Sequence, residues 1–201
     1  MAATRYPGLW ILPAHESLGT LMMIVAIVSI FAFPYTVLMP VFADDILKVG
    51  EQGYGLMMTA SGVGSLFGAL SLTLQSTRET TRRGRIIFAG VVGLPIALGV
   101  FSLSNSYVLS LLSLVIVGWT MISINATINT VVQTSVPDEL RGRVNGVFAF
   151  LFIGMAPAGN LQAGVLADLF GAPATLAIGA LVCGAVTVFV LLRHRRVFNI
   201  E

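Results

Sequence analysis

This sequence predicts an all-α membrane protein of six transmembrane helices, on three observations. Its 201 residues are 56% hydrophobic and only 10% charged, with a mean hydropathy of +0.92, whereas a globular domain carries about 25% charge to cover its water-facing surface. Charges are missing from five windows: Glu16 to Asp44, Glu51 to Arg78, Arg85 to Asp138, Arg143 to Asp168, and Asp168 to Arg193. Each window is long enough for the roughly 20 apolar residues that cross a bilayer as a helix.

Four windows hold one span each. The long one, from Arg85 to Asp138, holds two, divided at the polar triplet Ser104-Asn105-Ser106. The spans are expected at Leu18–Val41, Tyr54–Leu74, Ile86–Leu103, Tyr107–Thr130, Val144–Ala167 and Ala172–Leu192. In span one, Pro34 and Pro40 bracket Tyr35 and predict a bend near the outer end, because proline withholds a backbone donor. Span two carries Ser61, Gly62, Gly64, Ser65 and Gly68; Gly64 and Gly68 form a GxxxG step that lets another helix approach closely. Spans three and six offer little polarity, Ser102 in one and Thr175, Cys183 and Thr187 in the other, and read as peripheral.

Span four differs. It carries Thr120, Ser123, Asn125, Thr127, Asn129 and Thr130 and runs on to Gln133 and Thr134, with Asn125, Asn129 and Gln133 recurring four apart on one helical face. An amide without a partner in hydrocarbon costs several kcal/mol, so this stripe faces either neighbouring helices or a watery cavity. Span five combines Gly154, Pro157, Gly159 and Gly164 with Asn160 and Gln162, the composition of a kinked helix at a moving interface. No span has an acid, base or histidine at its centre, where proton and ion relays place such groups. Asp168, beside Phe170 and Gly171, reads as an outer-surface cap.

Loop charges set the orientation. Arg5 precedes span one; Arg78, Arg82, Arg83 and Arg85 lie between spans two and three; Arg141 and Arg143 lie between four and five; Arg193, Arg195 and Arg196 follow span six. Ten of the eleven basic residues thus alternate onto one side, leaving Lys48 on the other beside Asp44, Asp45 and Glu51. By the positive-inside rule both termini are expected in the cytoplasm. The run from Arg78 to Arg85 reads either as this topology signal or as a lock whose guanidiniums bond helix ends or carboxylates in one conformation only. The domain organisation that follows is a linker-like segment 1–17, a membrane domain 18–193 and a cytoplasmic tail 194–201.

Several functions are excluded by what the residues lack. His15 and His194 lie in the tails, and there is no HExxH, no GxSxG and no pair of acids at bilayer depth, so the sequence offers no catalytic constellation. The single cysteine, Cys183, sits inside the sixth apolar run as a packing thiol, and no pattern calls for a metal or cofactor. With its basic residues confined to short loops and a net charge of +2, the chain has no nucleic-acid footprint. Met1 to Ser17, with Arg5, Pro7, Pro13 and Glu16, lacks the compact apolar core of a cleavable signal peptide. The implied partners are the lipid bilayer and a small-molecule substrate.

Two stretches carry a further pattern. One is Ser135-Val136-Pro137-Asp138-Glu139-Leu140-Arg141-Gly142-Arg143-Val144, leading to Gly154, Pro157, Gly159, Gly164 and Asp168-Leu169-Phe170-Gly171. The other is Phe33-Pro34-Tyr35 through Leu38-Met39-Pro40-Val41-Phe42-Ala43, followed by Gly53-Tyr54-Gly55-Leu56. Together they resemble the C-terminal half of major facilitator superfamily transporters, in the bacterial branch of siderophore and drug exporters, over nearly the whole chain from Leu18 to Arg193. In the loop motif Ser135 is placed to cap a helix, with Asp138 three residues on as in a capping box.

The resemblance implies twelve helices in two halves, each of two inverted three-helix repeats, with substrate bound near the bilayer midplane. It implies that spans one and four line the cavity, two and five lie at the interface between halves, and three and six face lipid. Tyr35, Asn125, Asn129 and Gln133 become the expected substrate contacts; Gly64, Gly68, Pro157, Gly159, Asn160 and Gln162 the hinge or interface; and Arg82, Arg83, Arg85, Asp138, Arg141 and Arg143 the cytoplasmic loop motifs. The first of those loops departs from the family pattern, since its acid is Glu79. Met1 to Ser17 is read as the end of a central linker, so the implied partner is an N-terminal six-helix half or a second copy of this chain.

Overall fold

A computed structural model describes residues 11–75 and 81–193, with side chains for 18–73 and 86–190. The described residues are helical and contain no strand. The helices are α1 (Ile11–Ile27), α2 (Tyr35–Val41), α3 (Gly50–Gln75), α4 (Thr81–Leu103), α5 (Tyr107–Thr134), α6 (Asp138–Ala149), α7 (Ala156–Phe170) and α8 (Ala172–Arg193). They build six spans long and apolar enough to cross a membrane: Leu18–Ile46, Gly50–Thr73, Ile86–Leu103, Tyr107–Thr134, Asp138–Phe170 and Ala172–Val190. Span one is α1 with α2, span five is α6 with α7, and the others are single helices.

Spans one and five are the broken ones, for the reason their prolines give. In span one a π-turn at Val28–Ala32 precedes Pro34, and a second π-turn follows at Phe42–Ile46, which carries the span past the expected Val41 and takes Asp44 and Asp45 into its last turn. In span five a π-turn at Phe150–Gly154 precedes Pro157. The joints are short. At Ser104–Ser106 the Ser104 hydroxyl donates to the Ser106 carbonyl at 2.9 Å and accepts from the Ser106 N–H at 3.2 Å, replacing the helix bonds lost there. Gly171 alone joins α7 to α8, at φ 84° and ψ 157°, a conformation open essentially to glycine.

The loop motif differs from its expected form. Helix α6 begins at Asp138, so Asp138, Arg141 and Arg143 lie in a helix rather than a loop. Ser135 caps nothing at that start; its hydroxyl donates at 2.6 Å to the Val131 carbonyl of the preceding helix. Proline at 137 disfavours the helical region for Val136, which postpones the new helix until the acids that suit its positive end.

Helix α5 is the centre of the body, packed along α3 on one side and α4 on the other; α4 in turn packs on α8, and α7 and α8 close on the first π-turn of span one. Leu21, Ile24, Met39, Phe101, Leu114, Ile124 and Ile128 fill the core, with Phe42 stacked on Phe101 at 4.5 Å between ring centroids. The expectation that spans three and six are peripheral holds for one face of each only. Ile87, Val91, Leu94 and Leu98 of α4 and Leu176, Ala180, Cys183 and Val190 of α8 are buried, whereas Ile96, Leu103, Leu181 and Val188 are exposed. Helices that are apolar all round give no pattern from which the buried side could be read. The least buried spans are two and five.

Candidate functional site

The polar face of α5 divides into three environments. Toward α3 and α4 it is sealed: Thr120 is fully buried, its hydroxyl bonding the Ile116 and Val117 carbonyls, each at 2.9 Å. The hydroxyl oxygens of Ser123 and Thr127 are buried with no hydrogen-bond partner among the described residues.

Asn125 forms the second environment. It is 8% exposed, and its Nδ2 donates to the Met121 carbonyl one turn back at 2.9 Å. That bond fixes the amide's orientation and leaves Oδ1 buried without a partner among the described residues. An acceptor held in place by its own donor, in a low-dielectric setting, rewards any hydrogen-bond donor brought to it.

The third environment is the end of the helix. Gln133 Nε2 donates to Asn129 Oδ1 and lies 3.4 Å from Asn145 Oδ1 on α6. The Gln133 carbonyl accepts from Arg141 Nε at 3.0 Å, while Arg141 Nη2 pairs with Asp138 at 2.7 Å. Asn129 and Gln133 therefore share the Asn125 face by sequence but are engaged with each other and with the turn into α6. Arg143 is exposed. The side chains of Arg82, Arg83 and Arg85 lie outside the described residues.

Tyr35 is buried, and its hydroxyl pairs with Ser61 Oγ on α3 at 2.7 Å, tying span one to span two. Asn160 and Gln162 on α7 are half-buried, and their Oδ1 and Oε1 atoms lack partners among the described residues.

The glycines fall inside this body. Side chains at Gly64 and Gly68 would run into the Val115 backbone and Ile122 of α5, and one at Gly118 into the Ser61 backbone of α3, so the closest crossing is reciprocal. Gly159 lies against the carbonyls of Ser29 and Ile30, and Pro157 beside it is exposed.

Sequence reasoning passed over Gly118, Gly179 and Ser29. A side chain at Gly179 would meet the Phe31 carbonyl. Ser29 donates to the Phe152 carbonyl at 2.7 Å. Two more hydroxyls cross between helices, Tyr107 to the Gly53 carbonyl at 3.0 Å and Thr187, named above only as a polar residue of span six, to the Val91 carbonyl at 2.8 Å. For Ser29 the available signal was its spacing, five residues before Pro34, as Phe152 stands five before Pro157.

Residues 4–200 match the transmembrane secretion effector family of the major facilitator superfamily. The chain belongs to that family. It is 37% identical over 157 residues to the multidrug efflux pump Tap of Mycolicibacterium fortuitum, covering 77% of this chain and 37% of Tap. It is 28% identical over 165 residues to the enterobactin exporter EntS of Escherichia coli O81 (strain ED1a), covering 80% of this chain and 38% of EntS. The same identity holds to EntS of Shigella flexneri, with 39% of that protein covered. The chain thus spans less than two fifths of the length of these relatives, and it is a multi-pass membrane protein of an efflux branch.

Proposed function

We propose that this chain is the C-terminal six-helix half of a secondary-active exporter of amphipathic small molecules, of drug or siderophore type, that works by alternating access. The observation that carries this reading is the polar face of α5, uncharged throughout, with the Asn125 acceptor held in place and without a partner among the described residues. Neutral hydrogen-bonding groups in an apolar wall suit a cargo that is mostly apolar with a few donors. The names of Tap and EntS support the same class of cargo.

The chain would lie in the bacterial inner membrane with both termini cytoplasmic, as the one-sided arginines favour. Proton coupling would come from the other half, since no acid, base or histidine lies at the centre of these spans. The test is efflux of a fluorescent amphipathic dye from cells that co-express this chain with a six-helix N-terminal half. Asn125→Ala with Asn129→Ala is expected to lower efflux at least tenfold while the chain still accumulates in the membrane; unchanged efflux removes these residues from the site.

The exposed apolar faces of spans two and five favour a second reading, a half-size carrier that pairs with its own copy. Crosslinking in membranes separates the two, because a homodimer forms without any other chain and a half-transporter does not. A chain that folds in the membrane, with or without partners, and supports no efflux would instead be a non-transporting subunit.

A further inference from the structure

Two prolines remove backbone donors at one place in space. A helical N–H bonds the carbonyl four residues back, and in a π-turn five back, so Pro34 withholds a donor from Ile30 or Ser29 and Pro157 from Ile153 or Phe152. Each proline follows a π-turn, and the residues five before them are Ser29 and Phe152. These two residues meet. The fully buried Ser29 donates its hydroxyl to the Phe152 carbonyl at 2.7 Å, across 123 positions of chain. Around this bond Phe33 sits edge-on to Phe152 at 6.2 Å between centroids. A Cβ at Gly159 would stand 2.8 Å from the Ile30 carbonyl oxygen and 3.0 Å from that of Ser29.

We propose that this crossing is a releasable latch between spans one and five, with Ser29 as its moving part. A serine inside a helix has a second acceptor within reach, the carbonyl four residues back, which here is Val25. In the latched state Ser29 donates to Phe152. In the released state it turns to Val25, and water entering between the helices bonds the Phe152 carbonyl. The Ser29 donor is satisfied in both states, so the exchange carries only the small net cost of moving one hydrogen bond. Spans already interrupted at these turns bend there without breaking further backbone bonds. The result is a packed element with two discrete arrangements, the kind that switching requires. Its purpose rests on the alternating-access reading; its test does not.

Cys183 is the sole cysteine in the sequence and gives the readout without labels. It is buried, and with Val28 of the π-turn it lines a small apolar void between spans one, three, four and six. Movement of span one away from span six uncovers it. The experiment is the rate at which N-ethylmaleimide modifies Cys183 in the full chain, reconstituted in vesicles of phosphatidylethanolamine and phosphatidylglycerol and read by mass spectrometry.

Ser29→Ala is expected to speed modification by about 3- to 10-fold, the effect of losing one net hydrogen bond. Ser29→Thr, which keeps the hydroxyl, is expected to stay near the natural rate. Pro157→Ala returns an N–H to its own helix, so in that background Ser29→Ala is expected to add less than twofold. A natural rate for Ser29→Ala overturns the latch. So does an equal acceleration with and without Pro157, which would make Ser29 ordinary packing. If Ser29→Ala alone fails to accumulate, the latch requires that Pro157→Ala rescue it, and failure of the double variant overturns the proposal. A chain that shows the expected pattern but exports nothing leaves the latch and removes the exporter reading; one that exports without the pattern removes the latch alone.

Discussion

Two of the helix crossings in this molecule are built on opposite principles. Between α3 and α5 both helices run unbroken, and Gly64, Gly68 and Gly118 bring backbone against backbone, with Ser65 Oγ reaching the Gly118 carbonyl at 3.3 Å. Between spans one and five both helices are interrupted, and a side chain bonds a backbone carbonyl where a proline has withdrawn the helix's own donor. The first has no slack, because dispersion contact at backbone distance falls off steeply with any separation. The second has built-in bending points and an exchangeable bond. If the proposed latch operates, spans two and four would move as one body and relative motion would concentrate where spans one and five cross.

Substitutions sharpen or break this contrast, and the largest effect is expected at the rigid crossing. Gly118→Leu drives a side chain into the Ser61 carbonyl and the Ser65 backbone, neither of which can turn aside. It should destabilise the chain by about 3 kcal/mol or more, the upper end of overpacking. Thermal unfolding in detergent and loss of membrane accumulation would read this. A chain that tolerates it has no rigid crossing.

Gly159→Ala is expected to cost about 1–2 kcal/mol, less than at Gly118, because its Cβ would stand 2.8 Å from the Ile30 carbonyl oxygen whereas one at Gly118 would stand much closer to that of Ser61. Equal losses at Gly118→Ala and Gly159→Ala in the same unfolding assay would erase the difference between the crossings.

Tyr35→Phe removes the hydroxyl that joins span one to α3 and leaves Ser61 to its own helix. A loss of about 0.6 kcal/mol is expected, the average for one hydrogen bond between membrane helices. A loss several times larger would mean that span one is held mainly from the rigid side.

The smallest effect belongs to the exposed pair Asp138 and Arg141. Asp138→Asn is expected to cost at most about 1 kcal/mol, and less at high salt. Salt-independent loss on a titration of unfolding against ionic strength would show that this pair holds α6 in place.

Much of the fold was legible because the bilayer imposes it. Charge-free windows gave six spans, and Ser104-Asn105-Ser106, Pro34 and Pro157 marked breaks, since lipid leaves the backbone few ways to interrupt a helix, whereas Pro40 and Pro95 sit inside unbroken helices. The partners of those breaks were less legible. Pro34 and Pro157 announce lost donors, but only the packing reveals that Ser29 supplies one of them. Of the α5 stripe, periodicity placed Asn125, Asn129 and Gln133 on one face, yet their surroundings change along the helix, and a period carries no depth. Gly64 and Gly68 were legible as close-approach positions; their counterpart Gly118, alone in its span, had no pattern to mark it.

The central claim is that this chain is one half of an exporter, and dye efflux tests it most directly. Cells would carry this chain alone, an N-terminal six-helix half alone, or both, with membrane accumulation measured in each. The account predicts efflux only when both are present, lowered at least tenfold by Asn125→Ala with Asn129→Ala. Equal efflux from this chain alone, or none from the pair when both accumulate in the membrane, would contradict it.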